Sequence, residues 1–280
     1  MGRSLMFGEA SPEARVLVWF SCGAASAIAA KLAVNKYGDR CEVLYCDTFA
    51  HEHPDNRRFF DDVQAWLGRE IKIIGSDKYS DIYDVFKRTG WLVGVGGARC
   101  TVELKKNVRR AYQKPDDIHV FGYTPDEQHR ADRLMKSSPE MFCDFPLIDQ
   151  KVSKSDCHSI LNVAKIEQPA MYRLGYRNNN CIGCVKGQAG YWNKIRVDFP
   201  DTFERMAEVE REMGAAICKT EGKDEDGKRW REPLYLDELQ PEQGRYEQEA
   251  DISCGVLCIG ADTLEAVESH PPQQKDQTHE

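Results

Sequence analysis

The chain has 280 residues, of which 41% are hydrophobic and 30% charged, with a formal net charge of −8. That composition excludes collagen-like and low-complexity classes and suits one α/β domain plus an appendage. No apolar stretch approaches the roughly 20 residues that cross a bilayer, and Met1 to Phe7 lacks the apolar core of a signal peptide, so the expectation is a cytoplasmic protein without a membrane partner. The acidic balance argues against a nonspecific nucleic-acid binder, although Lys105, Lys106, Arg109 and Arg110 form a local basic cluster.

In chain order, apolar runs alternate with amphipathic segments over the first 150 residues. The pattern predicts strands at 16–20, 42–45, 71–74 and 119–123, and helices near 24–36, 55–67, 81–88 and 102–112. A βαβ series of this kind gives a parallel sheet with helices on both faces, whose ligands sit beyond the carboxyl ends of the strands. Beyond 150 the pattern changes. Ser153 to Asp156 opens one helix, and Pro200-Asp201 opens another whose Phe203, Met206, Val209 and Met213 share an apolar face. The expected organisation is a nucleotide-binding α/β domain at 1–150, a C-terminal helical, cysteine-bearing cap at 151–260 and a disordered tail at 261–280.

Two local features carry chemistry. Ser21-Cys22-Gly23-Ala24-Ala25-Ser26 follows the apolar run Val16 to Phe20 and precedes an alanine-rich helix, a strand-to-helix turn whose free backbone N–H groups suit an anion. Cys181-Ile182-Gly183-Cys184 has the spacing that places two thiolates on one metal, and Cys254 and Cys258 offer a second pair. With eleven cysteines and no export signal, metal ligation, by iron–sulfur or by zinc, explains these pairs better than a disulfide framework does. Cys22, Cys41, Cys46, Cys143, Cys157 and Cys218 are assigned to packing. His51 and His53 are read as solvated or helix-start residues, and Tyr191-Trp192 as the apolar shell of the metal site.

Taken together these motifs resemble the phosphoadenosine phosphosulfate (PAPS) reductase family, within the PP-loop ATP pyrophosphatases of adenine nucleotide alpha-hydrolase-like, Rossmann-type fold. The resemblance covers about residues 15 to 190. It runs through the Ser21 to Ser26 loop, Tyr45-Cys46-Asp47-Thr48, Arg99-Cys100-Thr101 with Leu104-Lys105, Gly122 to Glu127 with Arg130, and Phe145-Pro146-Leu147-Ile148.

The resemblance implies that Ser21, Cys22, Gly23, Ala24 and Ser26 form the phosphate loop, and that Asp47 and Thr48 line the adenine–ribose side. Gly122 and Glu127 complete the nucleotide site, and Lys105 and Arg130 meet anionic groups. It also implies a [4Fe–4S] cluster held by four at most of Cys100, Cys181, Cys184, Cys254 and Cys258, with zinc as the alternative, and Cys254 as the thiol that attacks sulfur. Three departures matter. Cys22, Ala24 and Ala25 replace the Gly, Lys and Asp of the pyrophosphatase loop, which removes an expected Mg²⁺ ligand and favours a sulfonucleotide (PAPS or APS) over ATP cleavage. Arg99-Cys100-Thr101 lacks the reductases' adjacent cysteine pair, and Ser253 and Cys258 stand near Cys254-Gly255 where Glu and His are expected.

The leading expectation is thus thiol- and iron–sulfur-dependent sulfur chemistry on an adenine nucleotide, with a thiol reductant as partner. Two alternatives stay open at this point: ATP-dependent sulfur insertion into DNA or tRNA, with the Lys105 to Arg110 face on phosphates, and a nucleotide-binding module without catalysis.

Overall fold

The computed structural model describes residues 10–94, 97–252 and 254. The run Val16–Phe20 is buried at all five positions, the signature of a strand covered on both faces, and it becomes the central strand β1. β2 (Cys41–Cys46) and β3 (Ile71–Ile74) lie outward on one side of it. After a two-residue ribbon, β4 (Val93–Gly94) with β5 (Gly97–Ala98), the chain crosses over to add β6 (Ile118–Val120) and β7 (Phe142–Asp144) on the other side. The five-stranded order is β3-β2-β1-β6-β7, every pairing parallel. The direction of strand addition reverses between β1 and β6, and that reversal opens a crevice at their carboxyl ends.

Alternation along β1 sends Val16, Val18 and Phe20 to one face and Leu17 and Trp19 to the other. On the first face they meet the helix Ala24–Tyr37, whose alanines permit close approach, and the helix Asn56–Leu67 through Phe59, Phe60 and Val63. On the second they meet Val108 of the helical stretch 99–112 and Ala131 and Leu134 of the helix Gln128–Ser137. The expected α/β class, a parallel sheet with helices on both faces, is what the chain forms.

Three elements differ from the sequence reading. β7 was not anticipated: three residues are too few for a periodicity signal, and its Asp144 reads as a strand breaker. That carboxylate is buried and accepts hydrogen bonds from Lys36 Nζ and Tyr37 Oη, both at 2.8 Å. The polar stretch after Lys219 contains an antiparallel ribbon, β8 (Cys218–Lys223) with β9 (Arg229–Leu234), tied to the helix Pro200–Met213 by buried Glu210, whose carboxylate accepts from Ile217 and Leu236 N–H groups.

The third difference concerns the residues just past 150. The helix Lys154–Val163 places Cys157 and Leu161 in the same core as β1, whereas the second core joins Val85, Phe86 and Leu104 to Trp192, Ile195 and Met206. These two cores therefore draw on residues from both sides of position 150, whereas the core on the Leu17 and Trp19 face draws only on residues before it. Among the described residues no helix is long and apolar enough to cross a membrane. Cys258 and the stretch 261–280 lie outside the described residues.

Candidate active site

The turn after β1 is held in a shape that most side chains resist. Cys22 has φ of +53°, in the left-handed region that costs a non-glycine residue about 1 kcal/mol or more. Three contacts pay for it. The Ser26 hydroxyl accepts from the Ser21 N–H at 3.1 Å and donates to the Gly23 carbonyl at 2.9 Å, and the Asn179 amide donates to the Cys22 carbonyl at 2.7 Å. Tyr172 Oη accepts from the Ala24 N–H at 3.3 Å, at the first turn of the following helix. The Cys22 side chain is fully buried, and burial pushes its thiol well above the ordinary range, so it packs rather than reacts.

Above this turn, in the crevice set by the strand order, lies a cavity of about 410 Å³. Ser21, Gly23 and Ser26 line it from β1, and Gly122, Glu127 and Arg130 from the far side of the switch point. Trp19, Phe121 and Tyr123 add aromatic side chains to its wall, stacked with His119 and Phe145. Arg130 pairs with Glu127 and lies 4.3 Å from the centre of the Tyr123 ring, so its guanidinium is held rather than swinging in solvent. A volume of this size accommodates a nucleotide-sized ligand.

Gly122 meets the phosphate turn at the closest approach the backbone allows: a Cβ there would stand 2.8 Å from Ser26 Cα and 2.9 Å from Ser26 N. Gly122→Ala is therefore expected to push the turn out of place and weaken AMP binding about tenfold or more, at about 1–3 kcal/mol of stability. Calorimetric titration with AMP checks this; unchanged affinity would show that the turn does not hold the nucleotide.

A second cavity adjoins the first, lined by Cys100, Cys181, Cys184 and Cys254 together with Thr48, Thr101 and Lys105. Its other walls include Ile82, Phe86, Leu104 and Val185. Cys100 and Lys105 come from one helical stretch, 99–112, in which Val102–Lys106 forms a π turn, an irregularity that collects at functional sites. The CxxC turn is shaped by its surroundings. Gly183 has φ of +70°, and a Cβ would sit 2.7 Å from Thr202 Cγ2; Tyr191 Oη accepts from the Cys184 N–H at 2.9 Å and donates to the Cys181 carbonyl at 3.3 Å. Tyr191 and Trp192 thus do form the shell of this turn, as their sequence position suggested.

Electrostatics separate the four thiols. Burial, reinforced by neighbouring thiols, pushes Cys100 and Cys184 up to about 12 and Cys181 further still. Burial opposes the Cys254 thiolate too, but Lys105, Lys186 and the Thr101 hydroxyl, 3.5 Å from its sulfur, outweigh it and bring this thiol down to about 7. Lys105 in turn stays protonated: burial works against its charge, and Cys254, Cys181 and Glu52 hold it well above its usual value. Lys105 and Lys186 therefore favour the thiolate of Cys254 over those of the other three cysteines.

Some expected site residues stand elsewhere. Asp47 is exposed at the end of β2, where its carboxylate accepts from the Phe49 N–H, and it lines neither cavity. Thr48 is buried, donates to Glu52 at 2.6 Å and faces the cysteine cavity rather than the nucleotide cavity. Cys22 and Ala24 contribute backbone only. The proposed phosphate-contacting face on 105–110 is reduced to Arg110, which is exposed, because Lys106 and Arg109 are 3% and 5% exposed and Lys105 turns inward to the cavities. His51 and His53 accept from the Ile82 and Asp55 N–H groups and organise helix starts. Tyr172, Asn179, Asn56 and Glu52 were missed: each acts through a partner distant in sequence or through burial, neither of which leaves a local pattern.

Compared with known proteins, the sequence matches no family model and no curated protein.

Proposed function

We propose that this chain is an enzyme of sulfonucleotide reductase type, which binds an adenine sulfonucleotide and transfers its sulfonate to Cys254. The observation that carries the reading is the position of Lys105 and Cys254, which line both the nucleotide cavity and the cysteine cavity. Of the four cysteines around the second cavity, Cys254 alone also faces the nucleotide cavity.

In this reading the turn Ser21 to Ser26 receives the nucleotide phosphate on backbone N–H groups, and the aromatic walls take the purine. Lys105 and Arg130 neutralise the sulfonate and phosphate charge. The Cys254 thiolate attacks the sulfonate sulfur; a cysteine S–S bond forms, the S–O bond to the phosphate breaks, and the bonding pair leaves with the nucleotide as its phosphate oxyanion. A dithiol reductant then attacks Cys254 sulfur and expels sulfite, which leaves a mixed disulfide; its second thiol attacks the reductant's own sulfur, closes the reductant's disulfide and returns the Cys254 thiolate.

The donor set also fits an iron–sulfur centre. Four thiols line one small, largely apolar cavity, and thiolate donors are what an iron–sulfur cluster or a zinc ion would take there. Cys100, Cys181 and Cys184 would hold a [4Fe–4S] cluster with Cys258 as fourth ligand, which leaves Cys254 for the nucleotide. Sulfur insertion into nucleic acid loses support, since the basic face that reading required is largely buried.

The test is release of sulfite together with AMP from APS, or with adenosine 3′,5′-bisphosphate from PAPS, by anaerobically reconstituted protein with a dithiol. Equal amounts of sulfite and nucleotide are expected; no sulfite from either substrate, or a thiolated nucleoside in host DNA or tRNA that depends on this chain, overturns the reading.

A further inference from the structure

Asn178-Asn179-Asn180, immediately before the CxxC turn, divides its side chains between two other parts of the site. Asn178 and Asn180 both donate to a single carbonyl, that of Ile252, at 3.3 and 3.0 Å. Ile252 lies two residues before Cys254, on a strap also anchored by Arg177, bonded to the Tyr246 and Glu249 carbonyls and to the Asp251 carboxylate, and by Glu249, whose carboxylate accepts from the Gly190 and Tyr191 N–H groups. Asn179 points the opposite way. Its amide nitrogen donates to the Cys22 carbonyl at 2.7 Å and to Asn56 Oδ1 at 2.9 Å, and Asn56 in turn donates to buried Glu52 at 2.6 Å. The amide orientation is set by these two acceptors, since the flipped form would face oxygen with oxygen at both.

We infer that the three asparagines are positioning residues: the outer two hold Cys254 at the junction of the two cavities, and the middle one holds Cys22 in its left-handed conformation and thereby shapes the phosphate turn. The physical reasons differ. A carbonyl with two amide donors resists peeling more than one with a single donor, so the strap that carries Cys254 stays closed. A left-handed cysteine persists only while its surroundings over-determine it, and Asn179 supplies the side-chain bond to that peptide. Because all three residues adjoin Cys181, the phosphate turn, the strap and the CxxC turn are registered against one short segment. The nucleotide half of this inference rests on the function proposed above; the strap half does not.

The experiment uses two variants of the full-length chain and two readouts: AMP affinity, and the rate at which iodoacetamide labels Cys254, followed peptide by peptide by mass spectrometry. Cys254 is only partly exposed at the cavity wall, so a rise in that rate reports local opening of the strap. In N178A/N180A, labelling of Cys254 is expected to rise about tenfold or more, with a smaller change in AMP affinity. In Asn179→Ala, AMP affinity is expected to fall about tenfold or more, with a smaller change in labelling. Both variants moving both readouts equally would mark general loosening and overturn the assignment. If a variant fails to fold, Asn180→Ser alone and Asn179→Ser replace it, with the same split required. A wild-type chain that binds no AMP sinks the function and the Asn179 half together, while the labelling result still decides the strap half.

Discussion

Cys254→Ala is expected to lower sulfite release by about 10³-fold or more while the chain still binds AMP. The size of the effect follows from the role: without a sulfur at the junction of the cavities no S–S bond to the sulfonate forms, and Cys46, the other cysteine in the nucleotide cavity wall, has a thiol that burial pushes up to about 11. Wild-type protein given APS or PAPS without reductant should accumulate a sulfonate on the peptide that carries Cys254. Iron content separates the two roles this residue was first assigned. A nucleophile can be removed with the iron retained, whereas removal of a cluster ligand lowers it. Sulfite release within tenfold of wild type takes Cys254 out of the chemistry altogether.

Cys181→Ser should remove the metal centre. Anaerobically reconstituted wild-type protein is expected to carry about four irons per chain with broad absorbance in the blue, and the variant to lose most of both. A loss of thermal stability should accompany it, because the cysteine cavity joins residues from the 99–112 stretch, the 181–184 turn and the strap, and a bound centre would tie all three. Iron analysis and the visible spectrum are the measurements, and they do not depend on turnover. Stoichiometric zinc with a featureless spectrum would reverse the choice of cofactor.

Particular residues show what could be read locally. The five apolar residues Val16 to Phe20 announced a strand buried on both faces, and small residues at 21–26 announced a turn with free N–H groups, because each property depends on neighbours in the chain. CxxC at 181–184 is legible for the same reason. Gly122 was placed at the nucleotide site through its motif alone; the close approach to Ser26 that requires glycine is a contact between segments almost a hundred residues apart. The cluster 105–110 was misjudged because sequence shows charge and not burial. Lys106 and Arg109 look like a solvated face until the sheet and its helices enclose them. Asn179 offered no signal, since its partner Cys22 lies 157 residues away.

By itself, then, the amino-acid order determined four of the five strands of the parallel sheet and several of the helices, the turn that follows the first strand, and the close spacing of the two cysteines at 181 and 184. Those are consequences of periodicity, backbone freedom and ligand spacing, all of short range along the chain. Only the tertiary structure decided that the phosphate turn and the thiols share Lys105 and Cys254 at one boundary, that Asp47 stands apart, and that a run of asparagines registers the parts against one another. Those relations are set by the packing of three cores, each assembled from residues far apart in sequence, and the free energy that fixes them belongs to burial and hydrogen bonding across the whole molecule.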